Sequence, residues 1–331
     1  MIRTLLFICL LLLAACGPSA KKEEEDTTSK ASPLVAAPSI NQDSAYYFVD
    51  TQVKFGPRIP SSVAHKKTGD YLNATLRKYG ANVTEQTFES MSYDGKKHSL
   101  RNIIGSYFPT KQKRILLAAH WDTRPFADRD KETPNVEFDG ANDGASGVGV
   151  LLEIARVLNK STEPNVGIDI IFFDGEDYGE KMGEDGPAYP EGLEFWWCLG
   201  SQYWATHKHK ANYSAYFGIC LDMVGARNSK FFKEGASLNY APSIVDKVWS
   251  VASRLGYSGI FINQKAAPIT DDHIPVNNKA NIPMIDIVHY DPVIGYFGDY
   301  HHSTKDNMSN IDKEILGIVA QVVVQVIYSE Q

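Results

Sequence analysis

Short, unbroken apolar runs alternate with amphipathic stretches along most of this chain. Ala45 to Phe55 carries apolar residues at helical spacing and stops at Gly56-Pro57-Arg58-Ile59-Pro60. A second helix is predicted after a cap at Ser61 or Ser62, with Tyr71, Leu72 and Leu76 as its apolar stripe and Gly80 as its end. Arg114 to Ala119 reads as a compact buried strand. Gly147 to Leu158 reads as a helix with Val150, Leu151, Ile154 and Leu158 on one side. Strands over Ile168 to Phe173, Gly218 to Val224 and Pro283 to Val288 are interleaved with helices over Pro242 to Leu255 and Ile311 to Tyr328. Continuous apolar strands separated by amphipathic helices require a sheet covered on both faces. The expected fold class is therefore α/β, a three-layer α/β/α sandwich around a central, mostly parallel mixed sheet. In such sheets a site belongs in the crevice at the carboxyl ends of the strands.

The first residues follow a different pattern. Met1-Ile2-Arg3 supplies a positive start and Leu5 to Ala15 an apolar run. That run is shorter than the roughly 20 residues a membrane-spanning helix needs, and it has the shape of a secretory signal. Its end, Leu13-Ala14-Ala15-Cys16-Gly17, resembles the bacterial lipobox, in which the cysteine is lipidated and becomes the mature N-terminus. The competing reading is an ordinary secretion signal with an incidental Cys16. Residues 16–38 are rich in Lys, Glu, Ser, Thr and Ala and are expected to form a disordered tether. The expected organisation is a lipoprotein signal over 1–15, the lipidated Cys16 with its tether over 16–38, and one catalytic domain over 39–331. Membrane attachment through Cys16 would make this a bacterial cell-envelope lipoprotein, periplasm-facing or associated with the outer membrane or surface.

Composition narrows the partners. With 43% hydrophobic and 22% charged residues the chain can build a core, and its formal charge of −7 excludes nucleic acid as the main partner. Of the 4 cysteines, Cys9 and Cys16 belong to the leader and lipid site. Cys198 and Cys220 are either a disulfide or two buried thiols.

The polar residues carry the chemistry. Each core strand runs into metal-ligand side chains: His120-Trp121-Asp122, then Asp174-Gly175-Glu176-Asp177, then Leu221-Asp222-Met223. Gly140-Ala141-Asn142-Asp143-Gly144 opens a helix, and His301-His302-Ser303-Thr304 lies near the C-terminus. Carboxylates converging this densely repel one another unless a cation or protons compensate. Zinc accepts imidazole and carboxylate, and a catalytic zinc keeps a position open beyond three protein ligands.

In order and spacing these segments, with Gly56-Pro57-Arg58-Ile59-Pro60, Asp271-Asp272-His273-Ile274-Pro275 and His302-Ser303-Thr304-Lys305-Asp306-Asn307, resemble the bacterial members of the animal-type glutaminyl cyclase family. That family is itself similar to the co-catalytic zinc aminopeptidases, and the resemblance runs from about Ser39 to the C-terminus. It implies a glutaminyl-peptide cyclotransferase that closes the N-terminal glutamine of peptides or proteins to pyroglutamate with loss of ammonia. It further implies zinc on Asp143, Asp177 and His302, with Glu176 as general base and acid and Asp222 and Asp271 as a hydrogen-bonded acid pair. In the aminopeptidases, residues matching His120 and Asp222 hold a second zinc bridged by Asp143, so one zinc is expected and a second is accommodated. The alternative activity is a zinc aminopeptidase. The Asp-Asp-His-Ile-Pro segment favours the cyclases.

Three departures from the animal enzymes stand out: Asp177 where they carry glutamate, His301 where they carry a pocket tryptophan, and Asp286 where they carry histidine. Trp121, Trp196, Trp197 and His301 are the expected substrate-pocket walls. His65, His207, His209 and His289 are expected to be surface or structural, and His273 to orient the acids.

Overall fold

The computed structural model describes residues 34–331. The lipobox and most of the tether lie outside the described residues. Residues 35–38, placed in the tether by their composition, instead lie against the last helix. The carbonyls of Val35 and Pro38 accept from the side-chain amides of Gln325 and Gln321.

The main sheet has six strands: β1 (Asn82–Met91), β2 (Lys97–Tyr107), β3 (Arg114–His120), β4 (Gly167–Phe173), β5 (Phe217–Asp222) and β8 (Met284–Val288), in the order β1-β2-β4-β3-β5-β8, while β6 (Phe231–Lys233) and β7 (Phe261–Lys265) pair in a small second sheet. The pairs β3/β4, β3/β5 and β5/β8 are parallel, whereas β1/β2 and β2/β4 are antiparallel. Every residue of β3, β4, β5 and β8 is buried, as their largely apolar sequences demand of strands covered on both faces, and the interior acids Asp169 of β4 and Asp286 of β8 are buried with them. On one face pack α1 (Gln42–Lys54), α3 (Ala145–Lys160), α6 (Pro242–Arg254), which follows the short α5 (Gly235–Tyr240), and α8 (Lys313–Ser329). Val148, Leu151, Leu152, Val319 and Val323 share a continuous core with Ile115, Leu117 and Ile170 of the strands. α4 (Leu199–Thr206) and α7 (His273–Asn278) cover the other face, where Trp204 and Val276 pack with Leu116, Ile171 and Met284. The three-layer sandwich is the expected one. Among the described residues no helix is long and apolar enough to cross a membrane.

The β1–β2 hairpin escapes the apolar-run pattern. β1 buries only Phe88 completely, because it is an edge strand with a wet face. Its partner β2 joins the parallel core antiparallel, which gives the sheet its mixed character. α2 (Val63–Lys78) starts at Ser62, whose side chain accepts from the backbone of His65, so the second of the two expected caps is the one used.

Register aligns the functional ends. His120 sits opposite Phe173, and Asp222 opposite Val288. The residues just past these positions therefore emerge at one edge of the sheet.

Candidate active site

The loops at that edge are fixed by buried polar side chains. The Asp122 carboxylate accepts from the backbone N–H groups of Glu176 (3.0 Å) and Asp177 (3.1 Å), so β3 holds the turn that follows β4. Asp306 does the same for the loop before α3, accepting from Asn142 (2.7 Å) and Asp143 (2.9 Å). Arg58 is fully buried and donates to the carbonyls of Asp139 and Gly140 from beneath that loop. Burial lowers its pKa to about 10, so it remains a cation at neutral pH. Gly144, at φ +83, lets α3 begin here: a Cβ would lie 2.7 Å from the carbonyl oxygen of Asp122. Arg124 grips the far side, donating its backbone N–H to Asp177 Oδ2 (3.1 Å) and its guanidinium to Asp128 and the Asp177 carbonyl.

Within this frame Asp143, Asp177 and His302 converge. His302 Nε2 lies 2.9 Å from Asp177 Oδ1 and 3.5 Å from Asp143 Oδ2. Both oxygens are buried and neither receives a hydrogen bond among the described residues. Buried acceptors facing one imidazole nitrogen without a donor are what a cation completes. The other ring nitrogen, Nδ1, faces Asp128 Oδ1 at 3.6 Å, the arrangement that directs Nε2 toward a metal. This donor set fits zinc. His301 Nε2 also approaches Asp143 Oδ2, at 3.8 Å. Its Nδ1 faces the Arg129 guanidinium at 3.2 Å, however, and arginine only donates. The proton of neutral His301 therefore sits on Nε2, which makes that atom a donor and not a ligand. Burial, reinforced by the charge of His302, holds the His301 pKa well below the ordinary histidine range.

Next to this group, His120 Nε2 lies 3.1 Å from Asp143 Oδ1 and 3.2 Å from Asp222 Oδ1. These three side chains form a second group close enough to share a cation. A proton on Nε2 serves the same corner, and the three carboxylates around His120 raise its pKa despite burial. Glu176, Asp222 and Asp271 line one cleft of about 470 Å³ with the three converging ligands. Burial, assisted by the charges of Asp271, Asp177 and Asp272, pushes the Glu176 carboxyl well above its ordinary range. Burial raises Asp222 to about 7. Asp271 Oδ1 accepts from the backbone of Asp272, and Oδ2 receives no hydrogen bond among the described residues.

The aromatic wall differs from expectation. Trp197 and His301 line the cleft, and Trp197 stacks parallel to His302 with ring centroids 5.9 Å apart. Trp121 and Trp196 do not line it. Trp121 is fully buried, stacked on His65 at 4.2 Å, and donates to the Arg101 carbonyl. Trp196 is buried against its own loop, donating to the Pro187 carbonyl. Neighbouring residues of an extended segment point to opposite sides. His120 faces the site, so Trp121 faces away. Tyr189, Phe195, Tyr296, Phe297 and Ile269 complete the wall, none of them singled out by sequence.

The remaining histidines are structural or exposed. His65 Nε2 donates to the Asp174 carboxylate (2.8 Å), His289 pairs with the Tyr300 hydroxyl (2.6 Å), His209 accepts from Trp204, and His207 is exposed. His273 lies 3.4 Å from Glu234 and not on the catalytic acids. Cys198 and Cys220 are separate buried thiols.

Residues 102–327 match peptidase family M28. A glutaminyl-peptide cyclotransferase of Drosophila melanogaster is 27% identical over 282 residues, covering 77% of this chain and 72% of its own. A crystal structure of Bacteroides thetaiotaomicron glutaminyl cyclase bound to N-acetylhistamine superposes with TM-score 0.85 at 49% identity, covering 89% of this chain and 100% of that one. A second structure from the same organism, named a leucine aminopeptidase precursor, has TM-score 0.85 and 48% identity over 90% of this chain and 100% of its own.

Proposed function

The chain belongs to peptidase family M28, and we propose that it works as a zinc-dependent glutaminyl-peptide cyclotransferase, converting N-terminal glutamine to pyroglutamate with release of ammonia. The observation that carries this reading is the placement of Asp271 in one cleft with Glu176 and the three converging ligands. The 49% identity to a glutaminyl cyclase over that protein's whole chain supports it.

Asp143, Asp177 and His302 hold the zinc. Bound there, it supplies a Lewis acid that polarises the γ-amide carbonyl of the substrate. The remaining work belongs to the protein. The cleft folds the glutamine side chain so that its own α-amine faces its amide carbon, a tethered attack that gains from near-attack positioning. Glu176 takes a proton from the attacking amine and returns it to the departing nitrogen. One C–N bond forms, one breaks, ammonia leaves and no water is consumed. Asp271 and Asp222 orient the amine. Trp197 and His301 wall the cleft and keep bulk water from the acids.

A zinc aminopeptidase is the weaker reading, favoured by the second donor group at His120, Asp143 and Asp222 and by the similar structure named a leucine aminopeptidase precursor. Offering the zinc-loaded protein a glutamine-led and a leucine-led dipeptide separates the two by mass spectrometry. Loss of one ammonia from the first, with its peptide bond intact, is the expected result. Cleavage of the second in its place overturns the cyclase reading.

The lipobox at Leu13-Ala14-Ala15-Cys16 supports anchoring of the enzyme on the bacterial cell envelope.

A further inference from the structure

The Cys198 thiol has no part in the chemistry above, yet it is buried against the group that moves the proton. Its Sγ donates to Glu176 Oε1 at 3.1 Å, and its backbone N–H donates to the Glu176 carbonyl at 2.9 Å. The next residue, Leu199, donates its N–H to the Gly175 carbonyl at 3.0 Å. The turn carrying the base is thus laced to the start of α4 by two backbone bonds and one thiol. Cys198 holds this place in the left-handed region, at φ 58 and ψ 37. A residue other than glycine rarely adopts that conformation, and where it does the surroundings must enforce it. Here the unusual conformation coincides with a contact to the catalytic carboxylate.

The chemistry of the contact is one-directional. A carboxylate only accepts, so the thiol must donate. Cys198 is 0% exposed and in no disulfide, and burial, followed by the charges of Glu176 and the nearby acids, keeps it protonated. With Oε1 engaged by the thiol, Glu176 Oε2 is the oxygen left to shuttle a proton.

We propose that Cys198 is a positioning residue whose S–H bond to Oε1 holds the Glu176 carboxylate in the orientation that serves the reacting nitrogens. This role rests on Glu176 being the base of the cyclase reading. A carboxylate free to rotate would spend part of its time aimed away from the amine, which lowers turnover without weakening binding. Mere space-filling would make no distinction between a hydroxyl and a methyl group at this position.

The test measures kcat and KM for a glutamine-led dipeptide, together with zinc content and melting temperature, for the zinc-loaded wild type and for Cys198→Ala, Cys198→Gly and Cys198→Ser. Loss of one such hydrogen bond predicts a kcat about tenfold lower in the alanine and glycine variants, with KM within about twofold and zinc content unchanged. Cys198→Ser restores a donor and recovers most of kcat. Glycine is at ease in the left-handed region, so Cys198→Gly keeps the comparison intact if Cys198→Ala fails to fold. Wild-type kcat in the alanine or glycine variant overturns the proposal, and so does a serine variant as slow as they are. A wild type that releases no ammonia contradicts the cyclase reading itself, a different result from an active wild type with unaffected variants.

Discussion

Opposite ends of one sheet bury carboxylates in opposite ways. Near the amino end of β4, Asp169 accepts from Arg114 Nε (2.5 Å) and Nη2 (2.9 Å), from Ser106 Oγ (2.5 Å) and from the Tyr213 hydroxyl (2.9 Å). Against the upward push of burial, these partners, Arg114 first, hold its pKa below the ordinary carboxylate range. At the carboxyl end, buried oxygens of Asp143, Asp177, Asp271 and Asp272 receive no hydrogen bond among the described residues. The sheet is the same and the burial is the same. Asp169 is finished by the protein alone and secures the fold, whereas the acids at the other edge wait for a cation, a proton or a substrate amine. Among the buried carboxylates, those left unsatisfied mark the functional end.

The largest effect should come from the base. Glu176→Gln keeps the shape of the side chain but cannot take a proton, and kcat for ammonia release should fall by about 10²–10⁴-fold. Metal analysis of the same sample should show unchanged zinc. If zinc is lost along with activity, Glu176 belongs among the ligands and its assigned role is wrong.

Stability should then separate the two ends by sign. Asp169→Ala leaves Arg114 buried without its partner and should cost about 3–5 kcal/mol in a denaturant melt, with kcat of the folded fraction little changed. Asp177→Asn, tested in metal-free protein, removes one charge from an uncompensated cluster and should leave the melting temperature equal or higher. A large loss of stability from Asp177→Asn would mean that this edge is held together by its acids, as the other end is.

A smaller effect concerns Glu234, a satisfied acid beside the site. Its carboxylate accepts from the backbones of Ala236 (2.6 Å), Ser237 (2.6 Å) and Ile269 (3.0 Å). Burial pushes it up, but His273 and these N–H groups outweigh that and bring it from 4.5 to about 2. A carboxyl depressed on folding contributes stability that is complete above its unfolded pKa and is lost as pH falls through its folded pKa. Melts at about pH 5 and about pH 3 should therefore show a smaller loss on acidification for Glu234→Gln than for the wild type. Equal losses would remove Glu234 from the acid-sensitive groups.

Much of this was legible in the sequence because burial on both faces writes a strand as an unbroken apolar run. Ile115 to Ala119 and Ile170 to Phe173 could hardly be anything else, and the polar residues that end those runs had to share an edge. The β1–β2 hairpin was not legible, since Asn82 to Met91 has one fully buried residue and no run. Asp177 follows a strand end and could be found there, whereas Asp143, just before α3, and His302, in the loop before α8, were singled out by the family resemblance. The wall could not be found, because Tyr189, Phe195, Tyr296 and Phe297 come from loops whose course is set by tertiary packing. Trp121 and Trp196 misled for a physical reason: a large indole is an equally good wall or core, and only the direction of its neighbour decides. Asp122 and Asp306 act through backbone N–H groups far away in sequence, and nothing in their local pattern announces those partners.

The most direct measurement is a zinc titration of the metal-free protein, following bound metal and ammonia release from a glutamine-led dipeptide in the same samples. If Asp143, Asp177 and His302 form the working site, ammonia release should rise with the first equivalent of zinc per chain and level off there. Activity that needs a second equivalent, together with cleavage of a leucine-led dipeptide, would contradict it and assign the edge to a two-metal aminopeptidase centred on Asp143.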